Sequence, residues 1–131
     1  MDVLEEAERP MSQNILIIDD DIITQNMLRS TLSEAGYSVI VASNGDEGIE
    51  KAFELQPGLI ILDIMMPGMD GADVASFLKT NPKTENIPII FLSSLITERS
   101  KKINNKNEET TYLSKPYNGD ELLNEVKKYF L

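Results

Sequence analysis

Apolar residues along this chain follow two rhythms that alternate from Asn14 onward. Three short runs, Ile15-Leu16-Ile17-Ile18, Leu59-Ile60-Ile61-Leu62 and Ile89-Ile90-Phe91-Leu92, are apolar at every position and predict strands buried on both faces. Tyr37 to Ala42 and Thr111-Tyr112-Leu113 predict two more strands. Between the strands, apolar residues recur at spacings of three and four. Ile23, Met27, Leu28, Thr31, Leu32 and Ala35 predict a first amphipathic helix, ended by Gly36. Asn44 is placed to cap a second helix with Ile49, Ala52 and Phe53 on its inner face. Pro67, Gly68 and Gly71 are expected to serve turn chemistry ahead of a third helix through Val74, Phe77 and Leu78. Asn118 with Glu121 opens the last helix, whose inner face is Leu122, Leu123, Val126 and Phe130.

Strands apolar on both faces and separated by helices imply a parallel sheet covered on both sides. Five βα units with right-handed crossovers give an α/β, three-layer, doubly wound fold. The 131 residues suit a single domain. Residues 1–12 carry Asp2, Glu5, Glu6 and Glu8 against Arg9 and are expected to be a frayed acidic extension, leaving residues 13–131 as the folded unit.

Composition narrows the chemistry. With neither cysteine nor histidine, disulfides, thiolates, Cys/His zinc sites and histidine bases are excluded. Any metal must sit among oxygens. A net charge of −10 argues against direct nucleic-acid binding, which needs a basic footprint. No run approaches the roughly 18 apolar residues of a membrane helix, and the N-terminus lacks a signal-peptide pattern, so the cytoplasm is the expected compartment.

The strands stop on Asp19-Asp20, Asp63, Ser93 and Lys115, each a polar group able to do chemistry. In a doubly wound sheet, ligands bind beyond the carboxyl ends of the strands, where the strand order reverses. If that order is 2-1-3-4-5, the first and third strands are neighbours and their carboxylates converge. Crowded carboxylates repel, so at least one should resist ionising, and a hard cation such as Mg²⁺ would relieve the conflict. Lys115 and Ser93 offer a positive charge and a hydroxyl for anionic oxygens. A carboxylate among these groups is poised to attack phosphorus and form an acyl phosphate. Asp63, followed by a loop, is the candidate nucleophile. Plainer roles compete at some positions: Asp21 as a helix cap, Tyr112 as a half-buried strand aromatic, Met65 and Met66 as core filler.

Together, Ile-Leu-Ile-Ile-Asp-Asp-Asp at 15–21, Leu-Asp-Ile-Met-Met-Pro-Gly-Met-Asp-Gly at 62–71, Phe-Leu-Ser at 91–93 and Tyr-Leu-Ser-Lys-Pro at 112–116 resemble the receiver domain of two-component response regulators. The resemblance, closest to single-domain chemotaxis-type regulators, covers residues 13–131. It implies a flavodoxin-like (βα)5 fold with strand order 2-1-3-4-5 and Asp63 as phosphoacceptor. It further implies Mg²⁺ held by Asp20, Asp63 and the backbone carbonyl of Met65, with Asp19 acting through water. Ser93 and Lys115 would contact the phosphoryl group, Lys115–Pro116 would be cis, and Ser93 with Tyr112 would form the switch. The implied partners are a histidine kinase or histidine phosphotransfer protein and a downstream protein. The latter would bind the face made by the fourth helix, fifth strand and fifth helix of a monomer or a phosphorylation-induced dimer. Such a domain catalyses only its own phosphorylation and dephosphorylation.

Departures from the family pattern concentrate between Ser93 and Tyr112. Glu108 and Glu109 stand where receivers commonly carry Gly-Ala, and the helix preceding them has little apolar face beyond Ile103. That helix is expected to be short or displaced, and Arg99, Lys101, Lys102 and Lys106 form a basic cluster on it, read first as a solvated face. Met65 and Leu95 occupy positions that set phosphoryl lifetime in relatives, and being apolar they predict slow self-dephosphorylation. The leading expectation is a stand-alone phosphorylation switch, with a receiver cut from a longer regulator as the alternative. A Mg²⁺-dependent phosphohydrolase lacks its usual second Asp, because Met65 stands there. A flavin-binding module fits poorly because Asp19-Asp20-Asp21 would repel phosphate.

Overall fold

The computed structural model of the chain describes residues 14–94 and 110–130. The expected extension at 1–12, the basic cluster, Leu95 and the divergent helix all lie outside the described residues. The five strands are β1 (Asn14–Ile18), β2 (Ser38–Ala42), β3 (Leu59–Leu62), β4 (Ile89–Ser93) and β5 (Thr110–Ser114). The described helices are α1 (Ile22–Glu34), α2 (Gly45–Leu55), α3 (Gly71–Lys79) and α4 (Gly119–Lys127). All strands pair in parallel in the order β2-β1-β3-β4-β5, the order that the family resemblance implied.

The alternation of side chains along the strands divides the core into two layers. Leu16, Ile18, Ile60, Leu62, Ile89 and Phe91 pack on one face against Ala52 of α2 and Val74 and Leu78 of α3. Ile15, Ile17, Leu59, Ile61, Ile90 and Leu92 pack on the other against Leu28 and Leu32 of α1 and Leu122 and Val126 of α4. Burial on both faces explains why these runs contain no polar position. Their removal from water is the main force holding the layers together.

The caps follow the sequence. Asn44 and Asn118 accept from the backbone N–H of Glu47 and Glu121, and Asp21 accepts from that of Ile23. At the end of α1 the N–H groups of Gly36 and Tyr37 donate to the carbonyls of Ser33 and Leu32, with Gly36 at φ 99. This paired closure uses the left-handed conformation that glycine adopts without penalty, and it starts β2 one residue later than expected.

Two expectations need correction. The buried face of α1 is Gln25, Leu28 and Leu32, whereas Ile23 and Met27 are 66% and 51% exposed. The helix turns Leu28 and Leu32 toward the sheet, and hydrogen bonds compensate the buried amide of Gln25 on the same face (below), so the polar residue goes inside. Gly71 is also more than a turn residue. A Cβ there would meet the carbonyl oxygen of Asp63 at 2.2 Å and the Cα of Ile64 at 2.7 Å. The first turn of α3 thus lies against the backbone that carries Asp63, and Gly71 N–H donates to the Ile64 carbonyl at 2.7 Å.

Gly71→Ala is accordingly expected to lower urea stability by at least about 2 kcal/mol, because the obstructing atoms are backbone. Gly119→Ala, whose Cβ would meet nothing within 4 Å, should change stability by less than about 0.5 kcal/mol in the same assay.

Candidate functional site

The polar groups that end the strands continue the backbone ladder by one residue. Asp19 N–H donates to the Ala42 carbonyl (3.1 Å), Asp63 N–H to Ile18 (3.0 Å) and Lys115 N–H to Ser93 (3.2 Å). Each residue is therefore held in register although it lies past its strand. In the alternation, Asp19, Asp63 and Lys115 follow Ile17, Ile61 and Leu113, which all belong to the layer facing α1 and α4. Three columns on that face thus end in two carboxylates and an ammonium at the same edge of the sheet.

Lys115 Nζ lies 2.9 Å from Asp19 Oδ2 and 3.2 Å from Asp63 Oδ2. Asp19 and Asp63 are buried, while Asp20 is exposed at the mouth. Carboxylate oxygens of Asp19, Asp20 and Asp63 all lie within 4.8 Å of one another. Such a set of oxygen donors, with one face open, suits a hard divalent cation that keeps part of its water. Backbone amides orient the acids: Asp21 N–H donates to Asp19 Oδ1 at 2.9 Å and Met65 N–H to Asp63 Oδ1 at 3.2 Å.

Electrostatics bear out the expected conflict but shift its cause. Burial raises the Asp19 pKa above the ordinary 3.8; the Asp21 amide and Lys115 oppose the rise, and repulsion from Asp63 adds only a small part. Burial pulls the other way on Lys115, yet the contacts with Asp19 and Asp63 outweigh it and lift the ammonium pKa above 10.5. The ion pair therefore favours the charged lysine while leaving Asp19 reluctant to ionise. Its desolvation exceeds what one shared ammonium returns.

The remaining candidates surround this pocket. Ser93, the last residue of β4, is fully buried. Tyr112, its phenol pKa raised by burial, is half-buried on β5 and stacks on Phe91 with ring centroids 5.1 Å apart. Lys115–Pro116 is cis. Asp21 caps α1 and accepts the Thr24 hydroxyl at 2.7 Å, the main cause of its lowered pKa. Met66 is core, as expected, but Met65 is 59% exposed at the rim. The residue that sequence reasoning missed is Gln25, whose amide binds the Asp19 carbonyl; the available signal was a polar residue one turn before Leu28.

Because the fold raises the Asp19 pKa, its charge opposes folding near neutral pH, and the opposition fades as the pH falls through the raised value. Asp19→Asn should therefore be more stable than the parent protein at pH 7. That advantage should vanish in urea titrations repeated on the acid side of Asp19's titration.

Comparison with known proteins gives the same picture. The family model for the response regulator receiver domain matches residues 15–127. The DNA-binding dual master transcriptional regulator RpaA of Synechocystis is 37% identical over 113 residues, 86% of this chain and 47% of that protein. The chain thus spans about half the length of this relative. The chemotaxis protein CheY4 of Vibrio cholerae superposes with a TM-score of 0.79 at 29% identity, over 88% of this chain and 97% of that one. The receiver domain of sensor histidine kinase PA1611 of Pseudomonas aeruginosa, solved with a magnesium ion in its active site cleft, shares the fold at 22% identity and TM-score 0.79, covering 90% and 97% of the two chains. Matched along most of its length and in every strand, with its acids and lysine gathered at one end of the sheet, the chain belongs to the response-regulator receiver family.

Proposed function

We propose that this receiver accepts a phosphoryl group on Asp63 from the phosphohistidine of a histidine kinase or phosphotransfer protein. The observation that carries the proposal is the meeting of Asp19, Asp20 and Asp63 with Lys115 Nζ, 3.2 Å from Asp63 Oδ2. A buried carboxylate beside an ammonium and an open oxygen cluster has the parts of an acyl-phosphate site. An Asp63 oxygen bonds to phosphorus as the phosphorus–nitrogen bond to the donor breaks, its electron pair leaving with the imidazole.

Asp20, Asp63 and the backbone carbonyl of Met65 would hold Mg²⁺, with Asp19 acting through water. A bound Mg²⁺ supplies positive charge against the anionic oxygens during transfer. Lys115 binds a phosphoryl oxygen with the charge its two carboxylates have stabilised. The Ser93 hydroxyl binds another, and its movement lets Tyr112 turn inward. Support for that movement is the half-exposed position of Tyr112 against Phe91, a stack worth about 0.5–1.5 kcal/mol, so a new charge nearby can shift the balance of two packings. The altered surface at β5 and the flanking helices then binds a downstream protein. On this reading the domain, preceded by an acidic extension at 1–12, is a switch whose catalysis is limited to its own phosphorylation state.

Incubation with Mg²⁺ and a small acyl-phosphate donor is expected to add the mass of one phosphoryl group, lost in alkali. Asp63→Asn should abolish the adduct while keeping the fold, and adduct formation in that variant would sink the assignment. Apolar Met65 and Leu95 offer no hydrogen bond to an attacking water, so the phosphorylated protein should be long-lived. The double variant Met65→Asn, Leu95→Glu is expected to lose phosphate at least about tenfold faster, followed by intact mass over time.

A further inference from the structure

Gln25 lies on the buried face of α1 and is only 6% exposed. Its Nε2 donates to the backbone carbonyl of Asp19 and to Ser43 Oγ, the second bond at 3.2 Å. A carbonyl can only accept, so the nitrogen side of the amide must face Asp19, and both of its protons are then used. Ser43, which follows β2, is fixed in turn: its N–H donates to Glu47 Oε1 at 2.8 Å. The Glu47 carboxylate also pairs with Lys51 at 3.2 Å, and Lys51 Nζ donates to the Val41 carbonyl at 2.8 Å. One buried amide thereby joins α1, the turn after β1 and the turn after β2.

Its place matters because the turn it grips carries two of the three converging acids. The Asp19 side chain is oriented by the Asp21 amide from within the same turn, so a shift of the Asp19 peptide would move both its own carboxylate and that of Asp20 relative to Asp63. The ladder bond from Asp19 N–H to Ala42 holds the peptide before Asp19 on the β2 side, and Gln25 holds the carbonyl of the peptide after it on the helix side.

We propose that Gln25 is a positioning residue for the metal site, bracing the Asp19 peptide so that Asp19 and Asp20 stay within reach of Asp63. The inference rests on the reading that these carboxylates hold a divalent cation. Groups that orient metal ligands from behind change affinity by about ten- to a hundredfold when removed, and Gln25 acts through backbone, which places it at the low end.

The test is calorimetric titration of Mg²⁺ into the unphosphorylated full chain, for the parent protein, Gln25→Met and Ser43→Ala. Thermal unfolding and amide exchange at Asp21 without metal are measured in parallel. Gln25→Met keeps the length of the side chain without its donor and is expected to weaken Mg²⁺ binding about tenfold. It should also speed exchange of the Asp21 amide, which reports the Asp19 carboxylate. Ser43→Ala, which removes one of the two bonds from the far side of the turn, should shift both readouts in the same direction by less, and it carries the test if Gln25→Met does not fold. A loss of thermal stability with Mg²⁺ affinity within about twofold of the parent would reduce Gln25 to a packing residue and overturn the inference alone. A parent protein that takes up no Mg²⁺ would overturn the functional reading and this inference with it.

Discussion

One ammonium between two buried carboxylates is the interaction on which the site depends. Lys115 Nζ touches both Asp19 and Asp63. Without it, two acids at the ends of adjacent strands would face each other out of water. Removing the shared ammonium would leave buried carboxylate charge without compensation, a loss that typically costs about 3–5 kcal/mol, whereas removing Asp19 leaves Lys115 still paired with Asp63. The sheet forces the approach, since β1 and β3 are hydrogen-bonded neighbours and the Asp63 N–H continues their ladder to Ile18. The lysine, arriving from β5 two strands away from β3, makes that approach tolerable.

The core and the site are two ends of the same columns. Ile15 and Ile17 lead to Asp19, Leu59 and Ile61 to Asp63, and Leu113 to Lys115. The apolar part of each column is fully or almost fully buried, which stabilises the layers enough to carry a reluctant carboxylate at the tip. Asp19 shows the strain plainly, for burial raises its pKa despite a lysine and a backbone amide in contact. A carboxylate held reluctant to ionise at the end of a rigid sheet is the kind of perturbed group that gathers at functional sites. Gly71 and Gln25 maintain the arrangement from behind. Gly71 lets α3 press against the Asp63 backbone, and Gln25 ties the Asp19 carbonyl to α1 and the turn after β2.

Much of this was legible in the order of residues. Continuous apolar runs can be satisfied only by a sheet covered on both faces, so Ile15–Ile18, Leu59–Leu62 and Ile89–Leu92 identified their strands nearly to the residue. Caps at Asp21, Asn44 and Asn118 were readable because each places a short oxygen-bearing side chain just before a helical period. The rotation of α1 was not readable. Periodicity counts Ile23 and Met27 as apolar and Gln25 as polar, but it cannot register that hydrogen-bond partners wait for Gln25 across the turn. The same holds for Gly71, whose need for glycine comes from Asp63 eight residues earlier in the chain.

By itself, then, the sequence determined the number and kind of strands, their parallel pairing and the chemical types at their tips, because those follow from local period and from burial on both faces. Only the tertiary structure decided which tips touch. It brought Lys115 to Asp19 and Asp63 across more than fifty residues of chain, ranked desolvation above mutual repulsion as the cause of the Asp19 shift, and turned Gln25 inward. Contact distances and loss of water are properties of neighbours in space, and no period along a chain encodes them.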